Sequence, residues 1–398
     1  MMEVIGLFRE KGTVDDLGLG SIRDTFSELL FPGTSTLHTR AKYLLFVPWV
    51  FRTLEDDGVS SSRGWQQLKD REIQLIYALL AGGEGEGVVG RDAREKLKQF
   101  PSFTYWGAVR RYRILAQPLT RGQLIGSLDS FHAARRQALR TRDETDERSI
   151  PRNWHAGLPA PEPDFLEHST FALSPEQAGY LTDRIQASAP STYLAHLVTV
   201  GLSTDSDHPW ADPSLPEAEP TVRDTVTHAQ RFSEVLHGAQ LLYNLLVSEA
   251  IRRQRTDDGR VDVDEDLVDR YQQWLDDWSD SIEAARPELT RWDIAAFWRL
   301  VTDANPRIPA ATQRFVRTWI DQVLTRDPHD LLDDATVRQG IRARELETKG
   351  RLARLWDERR LERYGGAAGA SALNYRWGSV RSVVHDITEA REVAGARS

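Results

Sequence analysis

The chain has 398 residues, 60 of them acidic against 51 Lys and Arg, giving a net charge of −9, and it contains no cysteine. This length can bury a sizeable core and fits two or three domains of roughly 100–200 residues each. The missing cysteines exclude disulfides, thiolate zinc sites and cysteine nucleophiles, and suit a reducing, cytoplasmic setting; the acidic balance argues against a surface coated all over for nucleic acid.

Met1 to Glu10 lacks the basic start and apolar run of a signal peptide. Glycines punctuate Asp15 to Ser21, and Ile22, Phe26, Leu29 and Leu30 follow at helical spacing. Pro32-Gly33 signals a turn, with Thr34, Ser35 and Thr36 as candidate caps for the next helix. That helix carries the most apolar stretch, Tyr43 to Phe51, which is far shorter than the ~20 residues a membrane span needs and is expected to end near Pro48. Another helix is expected over Trp65 to Leu80, then a glycine-rich loop to Gly87.

Residues 91–142 predict two or three basic helices, the second starting at Pro101 and holding Tyr105 and Trp106. Asp143 to Glu167 reads as a Pro-containing connection. Ser174-Pro175-Glu176-Gln177 is a capping-box start for a helix to about Ala187, and a further helix covers Thr192 to Leu202. Ser203 to Pro220, with four prolines and five acids, reads as a loop. Helices are then expected over Val222–Arg253, Val263–Ala285, Leu289–Val301 and Pro309–Arg326. An arginine-rich helical segment from Asp333 to Tyr364 and a last helix from Tyr375 to Glu392 close the chain.

Alternating β-branched runs are almost absent, so the expected fold is mainly α and multi-helical, with two or three packed helical domains, one of them winged-helix-like. The expected organisation is an N-terminal helical domain (1–90), a basic winged-helix-like segment (91–145), a Pro-rich connection with short helices (146–221), a helical bundle (222–330) and an arginine-rich C-terminal segment (331–398).

No familiar catalytic constellation is present. A Walker-type phosphate loop, a nucleophile elbow and a His-Glu-x-x-His zinc motif are all missing. Gly18-Leu19-Gly20-Ser21 lacks the third glycine of a dinucleotide fingerprint and reads as a turn before a helix. Asp262, Asp264 and Asp266 alternate as in a calcium loop, but Leu267 occupies the place of its glycine, so first-turn capping explains them better. Glu345, Glu347 and Lys349 could imitate half of a nuclease site, yet their surroundings are helical where that site needs a strand. His228 and His237 fall on opposite faces of one helix and are not expected to share a metal. No catalytic residue, metal or cofactor is therefore assigned.

The charge is unevenly placed. Between Arg91 and Arg142 there are twelve basic residues against three acids, a local +9, whereas Asp257 to Glu288 carries a local −9. The two could neutralise each other or be solvated faces. Alternatively Lys96, Lys98, Arg110, Arg111 and Arg113 neutralise phosphates, and Tyr105 and Trp106 beside them either stack on bases or anchor the helix in its core. A helix-turn-helix joined at Pro101-Ser102 would present Arg110 and Arg111 to a groove. The arginines between Arg342 and Arg363, interleaved with acids, form a second and weaker patch.

Several stretches together resemble a known family. They are Leu17 to Asp24 (LGLGSIRD), Leu30 to Thr36 (LFPGTST), Thr39 to Trp49 (TRAKYLLFVPW), Phe100-Pro101-Ser102 with Tyr105-Trp106, Leu373 to Trp377 (LNYRW) and Val384 to Ile387 (VHDI). The chain resembles, over nearly its whole length, a bacterial family of about 400 residues that carries a domain of unknown function. The resemblance implies no fold, activity or catalytic residue. It does imply an anti-phage gene setting, with helicase and nuclease subunits as partners. The resulting expectation is a non-enzymatic, cytoplasmic helical subunit of a DNA-targeting defence assembly, with no membrane contact. Gly18, Gly20, Ser21, Arg23, Gly33, Thr34, Ser35, His38, Arg40 and Lys42 form its conformational or binding motif. The alternatives are an enzyme acting on a nucleotide or DNA end through Arg23, His38, Arg40 and Lys42, and a structural adaptor that touches no nucleic acid.

Overall fold

The computed structural model describes residues 15–140, 152–202, 206–257, 265–362 and 364–395. Sixteen α-helices account for most of these residues, and no strand forms among them; one isolated antiparallel bridge joins Leu115 and Trp154. The protein is thus mainly α and multi-helical. No helix among the described residues is long and apolar enough to cross a membrane. The contacts regroup the consecutive sequence segments into two discontinuous units: unit 1 is Met1–Phe26 with Asp224–Tyr375, and unit 2 is Ser27–Arg223 with Arg376–Ser398. The divisions fall inside helix α1 (Gly20–Leu30), near the start of a long helix, and just before the last helix.

Unit 2 is organised around α2 (Tyr43–Asp56), buried almost throughout. Helices α3 (Gly64–Ala81), α4 (Pro101–Arg111) and α6 (Leu128–Arg140) pack on it, and α5 (Arg121–Gly126) contacts α3 and α6. Contrary to the expected stop near Pro48, α2 runs eight residues further. A proline there removes one backbone hydrogen bond, but burial of Trp49, Val50, Phe51 and Leu54 on the far side offsets that loss. Thr34, Ser35 and Thr36 do not cap α2, which begins only at Tyr43; the Thr34 hydroxyl instead donates to Phe31 O at 2.7 Å and closes the Pro32-Gly33 turn. Helix α7 (Pro175–Ser188) starts at the expected capping box of Ser174 and Gln177, and α8 (Tyr193–Val200) at a Thr192 cap. The last helix of the chain, labelled α16 below, lies against both.

Only one 3-10 turn, Arg94–Lys96, precedes α4 in the basic segment, so the expected helix-turn-helix does not form there. The cause is local: Gly90 and Arg94 take left-handed φ angles of 88° and 44°, and Pro101 holds Phe100 extended. A winged-helix unit also lacks its strands among the described residues.

In unit 1, α9 (Pro220–Asp257), of which the unit takes the part from Asp224 on, packs with α10 (Glu265–Thr290), α11 (Ile294–Ala304), α12 (Ala310–Thr325), α13 (Pro328–Asp333) and α14 (Ala335–Lys349). Leu289 and Thr290 end α10, not the next helix, which starts at the Asp293 cap. The arginine-rich helical segment from Asp333 to Tyr364 is divided among short helices. Gly350, at φ +54°, ends α14, and only the short α15 (Glu358–Leu361) follows before α16 (Trp377–Gly395). Phe26 sits in a ring cluster with Phe232, Phe297 and Tyr375, at centroid distances of 5.7–6.0 Å. Gly238 admits the Trp278 ring against α9, where any Cβ would collide with it. His228 accepts from Trp292 Nε1 and His237 Nε2 donates to Ala370 O. Asp262 and Asp264 lie outside the described residues, as does the side chain of Asp266.

The glycine motif at the start of unit 1 is a docking surface for its own arginines. Asp15 caps α1 through the Leu19 and Gly20 N–H groups, both at 2.7 Å. Arg344 on α14 donates to Leu17 O, Thr312 Oγ1 and Glu347, while Arg354 and Lys349 pair with the buried Asp16. Gly18 has φ +68°, and a Cβ there would run into the Arg344 guanidinium. Gly18→Ala is therefore expected to lower unfolding stability by on the order of 2 kcal/mol. Gly107→Ala, in helix α4 with nothing within 4 Å of the added carbon, should raise it by about 0.5–1 kcal/mol. Urea unfolding of both variants checks the pair, and equal midpoints for the two would sink this account.

Candidate functional site

The segment from Pro32 to Tyr43 in unit 2 holds most of the polar residues singled out in the sequence. Gly33, at φ +82°, lets the turn approach α4, where an added Cβ would lie 2.9 Å from Arg111 Cγ; Tyr112 Oη donates to Pro32 O at 3.0 Å. Tyr105 is fully buried, and its hydroxyl accepts from the N–H groups of Thr39 (2.7 Å) and Arg40 (3.1 Å). His38 stacks on the Tyr105 ring at 4.2 Å, and its Nε2 donates to Thr104 O. Burial, with a smaller push from Arg376, lowers the His38 pKa to about 4, so the ring is neutral at pH 7.

Arg40 donates from Nε to both oxygens of Asp386 (3.0 and 3.1 Å), and its Nη2 lies 2.8 Å from Oδ1. Asp386 Oδ2 also accepts from the Ala41 N–H at 2.7 Å. Lys42 is buried; its Nζ pairs with Glu162 Oε1 and donates to Ala172 O, both at 2.9 Å. Ser35 belongs to the same turn, its hydroxyl accepting from Leu37 N–H. Ser21 and Arg23 belong to unit 1, as do Gly18 and Gly20; the Arg23 guanidinium pairs there with Asp24. The cations proposed for phosphate chemistry are thus each engaged with a protein carboxylate, and the histidine has its donor satisfied inside the fold. A shallow cleft beside α5 and α6, lined by Gln117, Gln123, Ser130 and Arg152, brings no acid–base pair together. No group of His, Asp and Glu suited to a metal occurs among the described residues.

Asp386 and Glu162 are the partners that sequence reasoning missed. They lie 346 and 120 residues from the cations they meet. The available signal for Asp386 was its place in the VHDI stretch, where a lone aspartate follows apolar residues of a buried helix face.

The basic segment behaves differently. Lys96, Lys98, Arg110, Arg111 and Arg113 are all exposed, and no carboxylate pairs with any of them among the described residues; Arg111 donates to Ser188 O. Arg110 and Arg111 fill the last turn of α4, where they also complement its negative end. Lys96 ends the Arg94–Lys96 turn and Lys98 follows it, both preceding the helix in sequence. Tyr105 and Trp106 face inward; Trp106 Nε1 donates to Leu119 O and its ring meets Phe51 and Trp154. Those two rings anchor the helix and are not available to a base.

Below α4 lies a buried carboxyl group. Glu72 on α3 accepts from Ser102 N–H (2.7 Å) and Ser102 Oγ (3.1 Å). Burial raises its pKa to about 7 against the pull of those bonds and of Arg121. Glu55, bonded to Asn153 and Trp154, is likewise raised to about 7 by burial.

These features define a multi-helical protein whose motif residues build the fold and whose 91–142 segment carries a local excess of exposed cations. The chain belongs to the DUF6361 family, a family of unknown function whose model matches residues 2–391. No curated protein and no solved structure matches the chain.

Removing the Asp386 carboxylate would leave Arg40 and the Ala41 N–H without their acceptor. Asp386→Ala is expected to cost about 3 kcal/mol and Asp386→Asn less, measured by chemical denaturation; a loss under about 0.5 kcal/mol for Asp386→Ala would show the pair to be dispensable. Glu72 makes a pH prediction. The folded chain keeps its proton up to about pH 7, whereas the unfolded chain loses it near the ordinary glutamate value of 4.5, so this group's stabilisation is greatest at low pH and declines as pH rises from 4.5 through 7. His38 acts oppositely, adding stability as pH rises from about 4 to 6.5. Glu72→Gln should therefore flatten the fall in stability between pH 5 and 8 by a few kcal/mol. Parallel profiles for the two proteins would refute the assignment.

Proposed function

We propose that this protein is a non-catalytic, helical nucleic-acid-contacting subunit, with the exposed cations of the 91–142 segment as its phosphate contacts. The single observation that carries the reading is the contrast between two sets of cations. Arg40 and Lys42 are each held by a carboxylate in unit 2. Lys96, Lys98, Arg110, Arg111 and Arg113 are exposed and have no such partner among the described residues, in a segment of local charge +9 within a chain of −9. Exposed cations left unneutralised by the fold are suited to an external polyanion, and phosphates provide one. The setting implied by the family resemblance is a cytoplasmic bacterial defence assembly, in which helicase or nuclease subunits would supply the chemistry. An enzyme using Arg23, His38, Arg40 and Lys42 is disfavoured because their side chains are engaged within the fold.

Binding of a fluorescent duplex and of a single strand across a salt series tests the proposal. Affinity should fall on the order of 10²–10³-fold between 50 and 200 mM salt if about five phosphates are contacted. Arg110→Ala/Arg111→Ala should reduce the slope of log K against log salt by roughly 2. If neither DNA binds at low salt, the segment is a docking surface for an acidic protein instead.

A further inference from the structure

Two large aromatic side chains stand out on the surface of unit 2. Trp65, at the start of α3, is 50% exposed, and Phe103, in the first turn of α4, is 52% exposed. Each leaves about half its surface in water, which costs free energy in an isolated chain and is the pattern of an aromatic that awaits a partner. The two rings share one guanidinium: Arg121 Cζ lies 5.6 Å from the Trp65 centroid and 5.0 Å from that of Phe103. Cation–π attraction of this kind orients the rings about the arginine.

The arginine is itself fixed from within. Its Nη1 donates to Ser102 Oγ at 3.2 Å, and Ser102 is held by Glu72 through both its hydroxyl and its N–H. The aromatic pair therefore rests on a chain of hydrogen bonds that ends at a buried carboxyl group. Ordering such a surface before a ligand arrives lowers the entropy lost on binding.

The placement of Phe103 connects this pair to the unpaired cations. Along α4 the exposed positions are Phe103, Gly107, Arg110 and Arg111, spaced i, i+4, i+7 and i+8, which is one helix face. Gly107 has no neighbour within 4 Å of where a Cβ would stand, so it leaves that face low between the ring and the arginines. Phe103 and Arg110 are about 10 Å apart along the axis at 1.5 Å per residue. One face thus offers a flat apolar ring at one end, phosphate-seeking guanidinium groups at the other, and little side chain between.

We infer that Trp65 and Phe103, held by Arg121, form a stacking platform for unpaired bases of a single-stranded nucleic acid whose phosphates run along α4 towards Arg110, Arg111 and Arg113. The inference rests on the phosphate-contact reading of the same segment and adds its ligand class. An acidic protein would satisfy the cations but has no need of two half-exposed rings beside them. A duplex presents phosphates but keeps the faces of its bases inside the stack, so it cannot use the platform. Base–aromatic stacking is sequence-tolerant because every base has a π-face, and the platform would bind single strands with little sequence preference.

The test uses the full chain and three probes of equal length: a single-stranded oligonucleotide carrying 2-aminopurine, the same strand with abasic sites, and the duplex. The base-bearing strand should bind at least about ten-fold more tightly than the abasic strand, with quenching of the 2-aminopurine fluorescence. Trp65→Leu and Phe103→Leu should each remove most of that advantage while leaving the salt dependence in place, and Trp65→Phe should restore part of it. Both side chains are half-exposed, and circular dichroism of each variant confirms that its helices are intact. If base-bearing and abasic strands bind equally, or the leucine variants bind like the parent, the platform is overturned and the phosphate contacts stand alone. If no strand binds at low salt, both readings fall together.

Discussion

The Asp386 carboxylate accepts from the Arg40 guanidinium and from the Ala41 N–H, and this one group ties the last helix of the chain to the turn that leads into α2. Unit 2 is built from Ser27–Arg223 and Arg376–Ser398, so its N-terminal part must be closed by a helix that arrives about 150 residues after the rest of the unit ends. A buried carboxylate can only be tolerated where donors meet it. The donors come from the start of the unit and the acceptor from its end. A guanidinium and a backbone amide aimed at one carboxylate fix position far more narrowly than apolar contact does. The apolar packing of α16 on α7 and α8, with the Trp377 ring stacked on Tyr193, then builds on that register.

The same logic runs through unit 1. Asp16 is buried with Arg354 and Lys349, and Glu345 is buried under Tyr243 Oη and the N–H groups of Arg354 and Leu355. Arg344 reaches a backbone carbonyl, a hydroxyl and a carboxylate. In each unit the motif residues nearest the N-terminus are held by polar groups from near the unit's C-terminal end. The glycines follow from this. Gly18 leaves room for the Arg344 guanidinium, and Gly33 lets the turn meet Arg111 and Tyr112. The distinctive N-terminal motif therefore records how the chain closes on itself, and this explains why it contains cations and a histidine without forming a reactive cluster.

Local physics was legible in the sequence, and long-range pairing was not. The capping box at Ser174, the proline start of α4 and the apolar periodicity of α9 each depend on residues within one or two turns, and each appears where the pattern placed it. The misreadings share another cause. Pro48 was expected to stop α2, and it does not because the residues beyond it are buried by α4 and by Trp154, contacts that no local window contains. The regrouping into two discontinuous units, and the partners Asp386 and Glu162, depend on tertiary placement alone. Tyr105 shows the limit most clearly. Next to a basic run an aromatic pattern admits both stacking and anchoring, and only burial separates Tyr105 and Trp106 from Phe103, which is exposed in the same helix.

That separation also bears on the meaning of the basic segment. A helix that needs only to be anchored has no use for a half-exposed ring on its solvent face, because inward-facing Tyr105 and Trp106 already supply the apolar contact. Fold stability accounts in part for Arg110 and Arg111, which complement the negative end of α4, but Lys96, Lys98 and Arg113 lie outside that turn, where such charges add self-repulsion and little else. Some cations of these units meet acids, as Arg71 meets Asp57, Arg338 meets Glu249 and Arg326 meets Asp334, while others such as Arg63, Lys69, Arg291 and Arg307 are exposed with no carboxylate partner among the described residues. What distinguishes this segment is the juxtaposition of exposed cations that have no carboxylate partner among the described residues with a half-exposed aromatic ring on one helix face. Such a juxtaposition is where external binding is most economically placed, because the surface has kept features that folding alone would not require.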